Sequence, residues 1–268
     1  MTAVQNAPTS APGVAPGSSA SRTGEGVSLV RLTQVELRKL ADTRSGLWLL
    51  IAIGLAAAGT AVIMIAAAPD AEQTYRGLLA FGLIPASVLL PVLGILSMTS
   101  EWSQRTALGT FTLTPARGRV VVAKLAAAVL IAVAATAAAA VLTVAANLVA
   151  IGTGGDGSWE ITAEQIGRLL LNQVIFVLMG SAFGALLMNS PVAIVLYFAI
   201  PTAWTVLGAM VKWLARAAEW LDVNVTSLPL SEATMSGGQW GRLGVACAFW
   251  VGLPLVLGTV RMLRREVS

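Results

Sequence analysis

The chain has 268 residues, of which 56% are hydrophobic and 11% charged; an average soluble domain carries about 25% charged residues. That much apolar surface exceeds what one soluble core can hide, so lipid is the expected solvent. Histidine is absent and Cys247 is the single cysteine, which removes Ser-His-Asp and Cys-His catalysis, HExxH zinc sites and any internal disulfide.

Residues 1–26 are rich in Ala, Ser, Pro, Gly and Thr and have no apolar period, so they read as a disordered tail. No basic segment leads into an apolar run there, and no cleaved signal peptide is expected. Residues 27–46 read as an interfacial segment. In VSLVRLTQVELRKLADTR (27–44), Leu29, Leu32, Leu37 and Leu40 fall on one side of a helical wheel, and Arg31, Arg38, Lys39 and Asp42 on the other. That pattern predicts an amphipathic helix lying on the cytoplasmic leaflet. Glu36 interrupts it by sitting near the apolar face, as either an acid snorkelling to the surface or a contact for a partner.

Residues 47–268 read as one membrane domain with six apolar stretches, at 47–68, 77–98, 120–151, 169–188, 191–211 and 243–260. A helix needs about 20 residues to cross about 30 Å of hydrocarbon. Backbone groups in lipid must pair internally, so each stretch is predicted to be a helix. Pro85 and Pro91 lie in the second and should kink it.

Between the second and third stretches, residues 99–119 read TSEWSQRTALGTFTLTPARGR. Thr99 or Ser100 can cap a helix start, Glu101 suits the positive end of that helix's dipole, and Trp102 belongs at an interface. Pro115 and Gly118 break the chain before the third stretch. A short cytoplasmic helix, a turn and a basic re-entry are expected. A loop serving topology alone needs Arg and Lys, but not Glu101, Trp102 and a Thr-rich turn.

The third stretch is alanine-rich and overlong, so one of its ends should lie at an interface. GTGGDG (152–157) lacks the GK[ST] ending of a phosphate loop and reads as a turn. In the fourth stretch Gly180 and Gly184 form a GxxxG pair, marking either close packing within the chain or a dimer seam. GSAFG (180–184) has the outline of a nucleophile elbow, with no histidine to activate Ser181. Pro191 follows Asn189 and Ser190 as a helix start, and Pro201 and Pro254 should kink the fifth and sixth spans. Between those two spans, KWLARAAEWLD (212–222) places Trp213, Leu214, Ala217, Trp220 and Leu221 on one arc, opposite Lys212, Arg216, Glu219 and Asp222. It predicts a short helix on the outer surface, serving as an anchor or shaping the exit of a pathway.

With the N-terminus cytoplasmic, twelve of the 17 Lys and Arg residues fall inside, Arg105, Arg117, Arg119 and Lys124 among them. The remaining Arg76, Arg168, Lys212, Arg216 and Arg242 fall outside. This is the positive-inside bias. An even number of spans then puts both termini in the cytoplasm. The charge lies along membrane edges, which speaks against nucleic acid as a partner.

No charged residue falls near the middle of a stretch, whereas a proton- or ion-coupled carrier usually places one there. The polar residues within the stretches are neutral: Asn147, Asn172, Gln173, Thr136, Thr143, Tyr197, Thr202 and Thr205. They serve either bonds between helices or contacts with a substrate. Of these, Asn147, Asn172, Gln173, Tyr197 and Thr202 are the candidates for lining a pathway.

ELRKLADTRSGLWLL (36–50) followed by SEWSQRTALGTFTLTPARGRVVVAK (100–124) resembles permeases of the type-2 ATP-binding-cassette transporter family, an actinobacterial subgroup in particular. That family's pattern has a glutamate after the second span, Gly-Thr a few residues on, then Pro-x-Arg and a lysine. Glu101, Thr106, Pro115, Arg117 and Lys124 match it, and Arg105 stands where many members have the glycine. The resemblance implies an all-α integral membrane protein of the bacterial plasma membrane. It would have six spans, an N-terminal interfacial helix, a cytoplasmic coupling helix, and short outer helices before the last span. It also implies two permease copies, identical or paralogous, and two cytosolic ATPase subunits that hold ATP and Mg; this chain would bind no cofactor. Glu101, Trp102, Arg105 and Thr106 would contact that ATPase, with Glu36, Arg38 and Lys39 as further contacts. A membrane anchor or immunity-type scaffold that transports nothing, and a membrane-embedded enzyme, are the competing readings.

Overall fold

The computed structural model describes residues 28–103, 117–232 and 234–264 of the chain. Described residues form helices joined by short turns, and six of those helical stretches are long and apolar enough to cross a membrane. This is a multi-pass, all-α architecture. The expectation for residues 1–26 lies outside the described residues.

Helix α1 (Leu29–Asp42) starts where the Ser28 hydroxyl accepts the Arg31 N–H, and it buries Leu40 and Glu36. It stops at Thr43, which is also the N-cap of α2 (Arg44–Ala67), its hydroxyl accepting the Gly46 N–H at 3.3 Å. The turn is tight because residue 46 is glycine; a Cβ there would run into the Leu40 carbonyl. The first span therefore begins at Arg44, a little before the apolar run itself. Most of α2 is exposed in the chain alone: Trp48, Leu55 and Val62 are each about two-thirds accessible, as expected of side chains solvated by lipid.

The second span is two helices, α3 (Tyr75–Gly82) and α4 (Ile84–Ser103). They part at Leu83, two residues before Pro85, whose ring cannot donate a backbone hydrogen bond. The helix runs on through Pro91. The third span, α5 (Arg117–Thr153), has 37 residues and would be about 55 Å long, well beyond the hydrocarbon core. Helix α6 (Ala163–Leu187) opens with a Thr162/Gln165 capping box and runs through the centre of the bundle against α4 and α5. The GxxxG pair faces inward: a Cβ on Gly180 would meet the Pro91 backbone, and one on Gly184 the Ile95 backbone. Close packing within the chain is therefore what these glycines do.

Met188, with φ +50°, turns the chain out of α6 in the left-handed conformation. Asn189 then caps α7 (Ser190–Met210), its side chain accepting the Val192 N–H at 3.1 Å. Next come the short helices α8 (Lys212–Leu221) and α9 (Val223–Ser227). Val223 and Leu230 are almost fully buried, so this segment dips back against the bundle. The last span is α10 (Gly237–Cys247), a π-turn at Ala248–Gly252 and α11 (Leu253–Arg264). The π-turn ends two residues before Pro254, where a wider turn accommodates the missing N–H.

The bundle has two distinct ends. At one, Met98, Val121, Ala185, Met188 and Met262 pack together, and α1 joins the end of α11 on that side through the bond from Lys124 to Glu36. At the other, residues 70–75 and 155–158 zip together through Asp156 N–H to the Asp70 carbonyl, Gly157 N–H to Gln73 and Tyr75 N–H to Ser158. The GTGGDG run is thus a turn, with Gly154 and Gly157 at positive φ.

Candidate functional site

The most concentrated polar chemistry lies at the α1 end. Lys124, in the second turn of α5, donates to a Glu36 oxygen of α1 at 2.8 Å and to the Ser97 carbonyl of α4 at 2.9 Å. Lys39 donates to the other Glu36 oxygen at 2.8 Å. The Lys124 side chain is 1% exposed and that of Glu36 7%. Burial alone would raise the Glu36 pKa; the lysines, Lys124 above all, overcome it and hold the carboxyl below its ordinary value. Beside this knot the hydroxyls of Thr99 and Ser190 meet at 2.6 Å, tying α4 to α7. A cavity of about 130 Å³ opens between α1, α2 and α4, bordered by Glu36, Lys39, Thr43 and Ser100.

Three helices are therefore fastened at one point: α1, the end of α4 and the start of α5. The last two flank residues 104–116, the segment the sequence singles out. Of its named residues, Glu101 and Trp102 fall in the last turn of α4, while Arg105 and Thr106 lie outside the described residues. The sequence expectation that Thr99 or Ser100 starts a new helix is corrected. Both sit inside α4, where Thr99 donates its hydroxyl back to the Ile95 carbonyl and Ser100 to that of Ser97. A hydroxyl spent on an upstream carbonyl of its own helix is a mid-helix feature and caps no helix start. Arg38 is exposed. Glu36 does not snorkel: it is buried, and Lys124 and Lys39 occupy both its oxygens.

The five pathway candidates separate. Asn147, fully buried, donates to the Gly157 carbonyl at 2.8 Å and pins the far-end turn. Gln173, 1% exposed, donates to the Leu83 carbonyl at the break in the second span. Asn172 keeps a buried Oδ1 without a hydrogen-bond partner among the described residues. Tyr197 and Thr202 share a cavity of about 210 Å³, formed by α4, α6, α7 and α9, with Ser87 and Asn224 among its lining. No lining residue is charged.

Sequence reasoning counted Lys124 as one more inner cation and passed over Ser87 and Asn224. The missed signal at Lys124 was its position inside an apolar helix, where a charge must find a partner. Among the described residues no three His, Cys, Asp or Glu side chains are grouped to hold a metal. No protein-family model matches the chain, and no curated protein matches it.

Proposed function

We propose that this chain is the membrane-spanning permease subunit of an ABC-type exporter. It forms the translocation path and draws its power from a separate cytosolic ATPase dimer, which holds ATP and Mg. A second permease copy, identical or paralogous, completes the path. The supporting observation is the Glu36–Lys124–Ser97 junction. It joins α1, α4 and α5 on either side of residues 104–116, so force applied to that segment reaches three helices as one body. The charge bias supports a cytoplasmic α1 end, where an ATPase can reach it, and the family resemblance implies a bacterial plasma membrane. ATP closes the ATPase dimer, the linked helices move, and the spans switch between inward- and outward-open arrangements. Glu101, Trp102, Arg105 and Thr106 make the contact, with Arg38 and Lys39 at its edge.

The test uses the full chain purified in mild detergent with its co-purifying proteins identified by mass. The expected companion is a protein carrying a phosphate loop, whose ATP hydrolysis rises when the two are reconstituted in vesicles. The double variant Glu101→Ala/Arg105→Ala should lose that stimulation while inserting normally. A chain that purifies without any ATPase, or a double variant with full stimulation, overturns the reading and leaves an anchor or scaffold role.

A further inference from the structure

The cavity of about 210 Å³ beside Tyr197 has the makings of a binding site. Tyr197 is 5% exposed, and its ring is held edge-on by Phe183 at 5.8 Å and Phe198 at 4.9 Å. Its hydroxyl has no hydrogen-bond partner among the described residues, although the residue lines the cavity. A phenol held this way keeps its O–H for a polar group that enters the cavity.

The surroundings specify the guest's chemistry. Asn224 gives its amide N–H to Thr205 at 3.1 Å, and its Oδ1 accepts nothing from the described residues. Ser87 gives its proton to the Ile84 carbonyl at 2.7 Å and keeps its lone pairs. Pro91 and Pro201 have no N–H to offer the residues four positions back, which are Ser87 and Tyr197. The site thus offers the Tyr197 and Thr202 O–H groups and the second Asn224 amide N–H as donors, beside several oxygen acceptors and no charge. An anion would face those oxygens with no cation among the lining residues, and a cation would find no carboxylate. Met179 and Val223, each 1% exposed, form an apolar back wall. At the mouth Phe198 is 38% and Val88 45% exposed, so the opening lies on the lateral, apolar surface of the bundle. An apolar cavity of about 150 Å³ takes up benzene, and this one has room for a substituted ring.

We infer that this cavity binds uncharged, ring-sized amphiphiles that carry a hydroxyl group and arrive laterally from the bilayer. The hydroxyl accepts from Tyr197 and donates to a neighbouring acceptor, while the ring rests on Met179 and Val223. As a station on an export path this rests on the permease reading; as a binding site it stands without it.

Titration of the full chain in lipid nanodiscs, followed by fluorine NMR, tests the inference without any ATPase. The probes are 4-fluorophenol, fluorobenzene and 4-fluorobenzoate. Wild type should bind 4-fluorophenol about tenfold more tightly than fluorobenzene, the worth of one good hydrogen bond, and should not bind the benzoate. Tyr197→Phe should keep the fold and weaken the preference for the phenol severalfold. Thr202→Trp, which plugs the cavity's edge, should abolish saturable binding of both uncharged probes. Equal binding of phenol and fluorobenzene by wild type, or an unchanged preference in Tyr197→Phe, overturns the inference. If the phenol binds as expected and no ATPase associates with the chain, the permease reading fails and the site survives.

Discussion

Glu36 and Lys124 stand 88 residues apart in the chain and meet at 2.8 Å, both buried. A buried lysine that loses its carboxylate gives up the charge-assisted bond that offset most of its desolvation, so the two single variants and the double variant should differ sharply. Lys124→Met or Glu36→Leu alone is expected to cost about 3–5 kcal/mol, the lower figure for Lys124→Met because Lys39 still pairs with Glu36. The double variant Glu36→Leu/Lys124→Met removes both charges and should recover most of that loss. Reversible unfolding in mixed micelles gives the numbers. Additive losses would show that the pair is not coupled.

The same carboxyl makes the docking of α1 sensitive to acid. The lysines hold the Glu36 pKa below its ordinary value of 4.5. A depressed carboxyl contributes stability that is complete above the unfolded pKa and is lost as pH falls through the folded one. α1 should therefore stay docked at neutral pH and loosen only below about pH 4.5. A spin label at Val30, which is 68% exposed, reports this as increased mobility. In Glu36→Gln that acid transition should vanish; a transition unchanged in this variant would assign it to another group.

Trp250 fastens the short helices between the last two spans. Its indole N–H donates to the Leu221 carbonyl at 2.6 Å, at the end of α8, while its ring stacks on Phe183. Trp250→Phe keeps an aromatic ring and gives up the donor. The expected loss is about 1 kcal/mol, with faster hydrogen exchange confined to α8 and α9. Exchange that rises equally throughout α6 would mean the ring's packing carries the effect instead.

What could be read in the sequence follows from the range of each interaction. The six spans, the amphipathic α1 and the short α8 were legible because their apolar periodicity is local and each helix answers separately to lipid. Boundaries were less legible: nothing apolar marks Arg44 as part of the first span, since Thr43 and Gly46 set that turn. The break at Leu83 was written in Pro85, although the apolar run crosses it unchanged. The site was harder to see. Glu36 stood out as an acid on an apolar face, but its partner lies on another span, and no local pattern pairs Glu36 with Lys124. Tyr197 and Thr202 were picked out as neutral polar residues among many. What sets them apart from Asn147 and Gln173 is a cavity that exists only once α9 folds back on the bundle.

The contact between α4 and α6 offers the sharpest test of the fold. At Gly180 the two backbones come so close that even a methyl group has no room, because it would meet the Pro91 carbonyl and its neighbouring backbone atoms. Backbone cannot rotate aside as a side chain can, so Gly180→Ala must push α4 and α6 apart along their shared length. Overpacking of this kind costs about 1–3 kcal/mol. Gly167 in the same helix is the control: a Cβ there meets nothing within 4 Å, and alanine should raise stability by up to about 1 kcal/mol through its helix propensity. Micelle unfolding of the two variants compares a methyl in contact with one in open space, on one helix and with one chemistry. If Gly180→Ala were instead neutral and altered only the chain's association with a second copy, the glycine pair would be a seam between molecules, and the packing of α4 on α6 would be wrong.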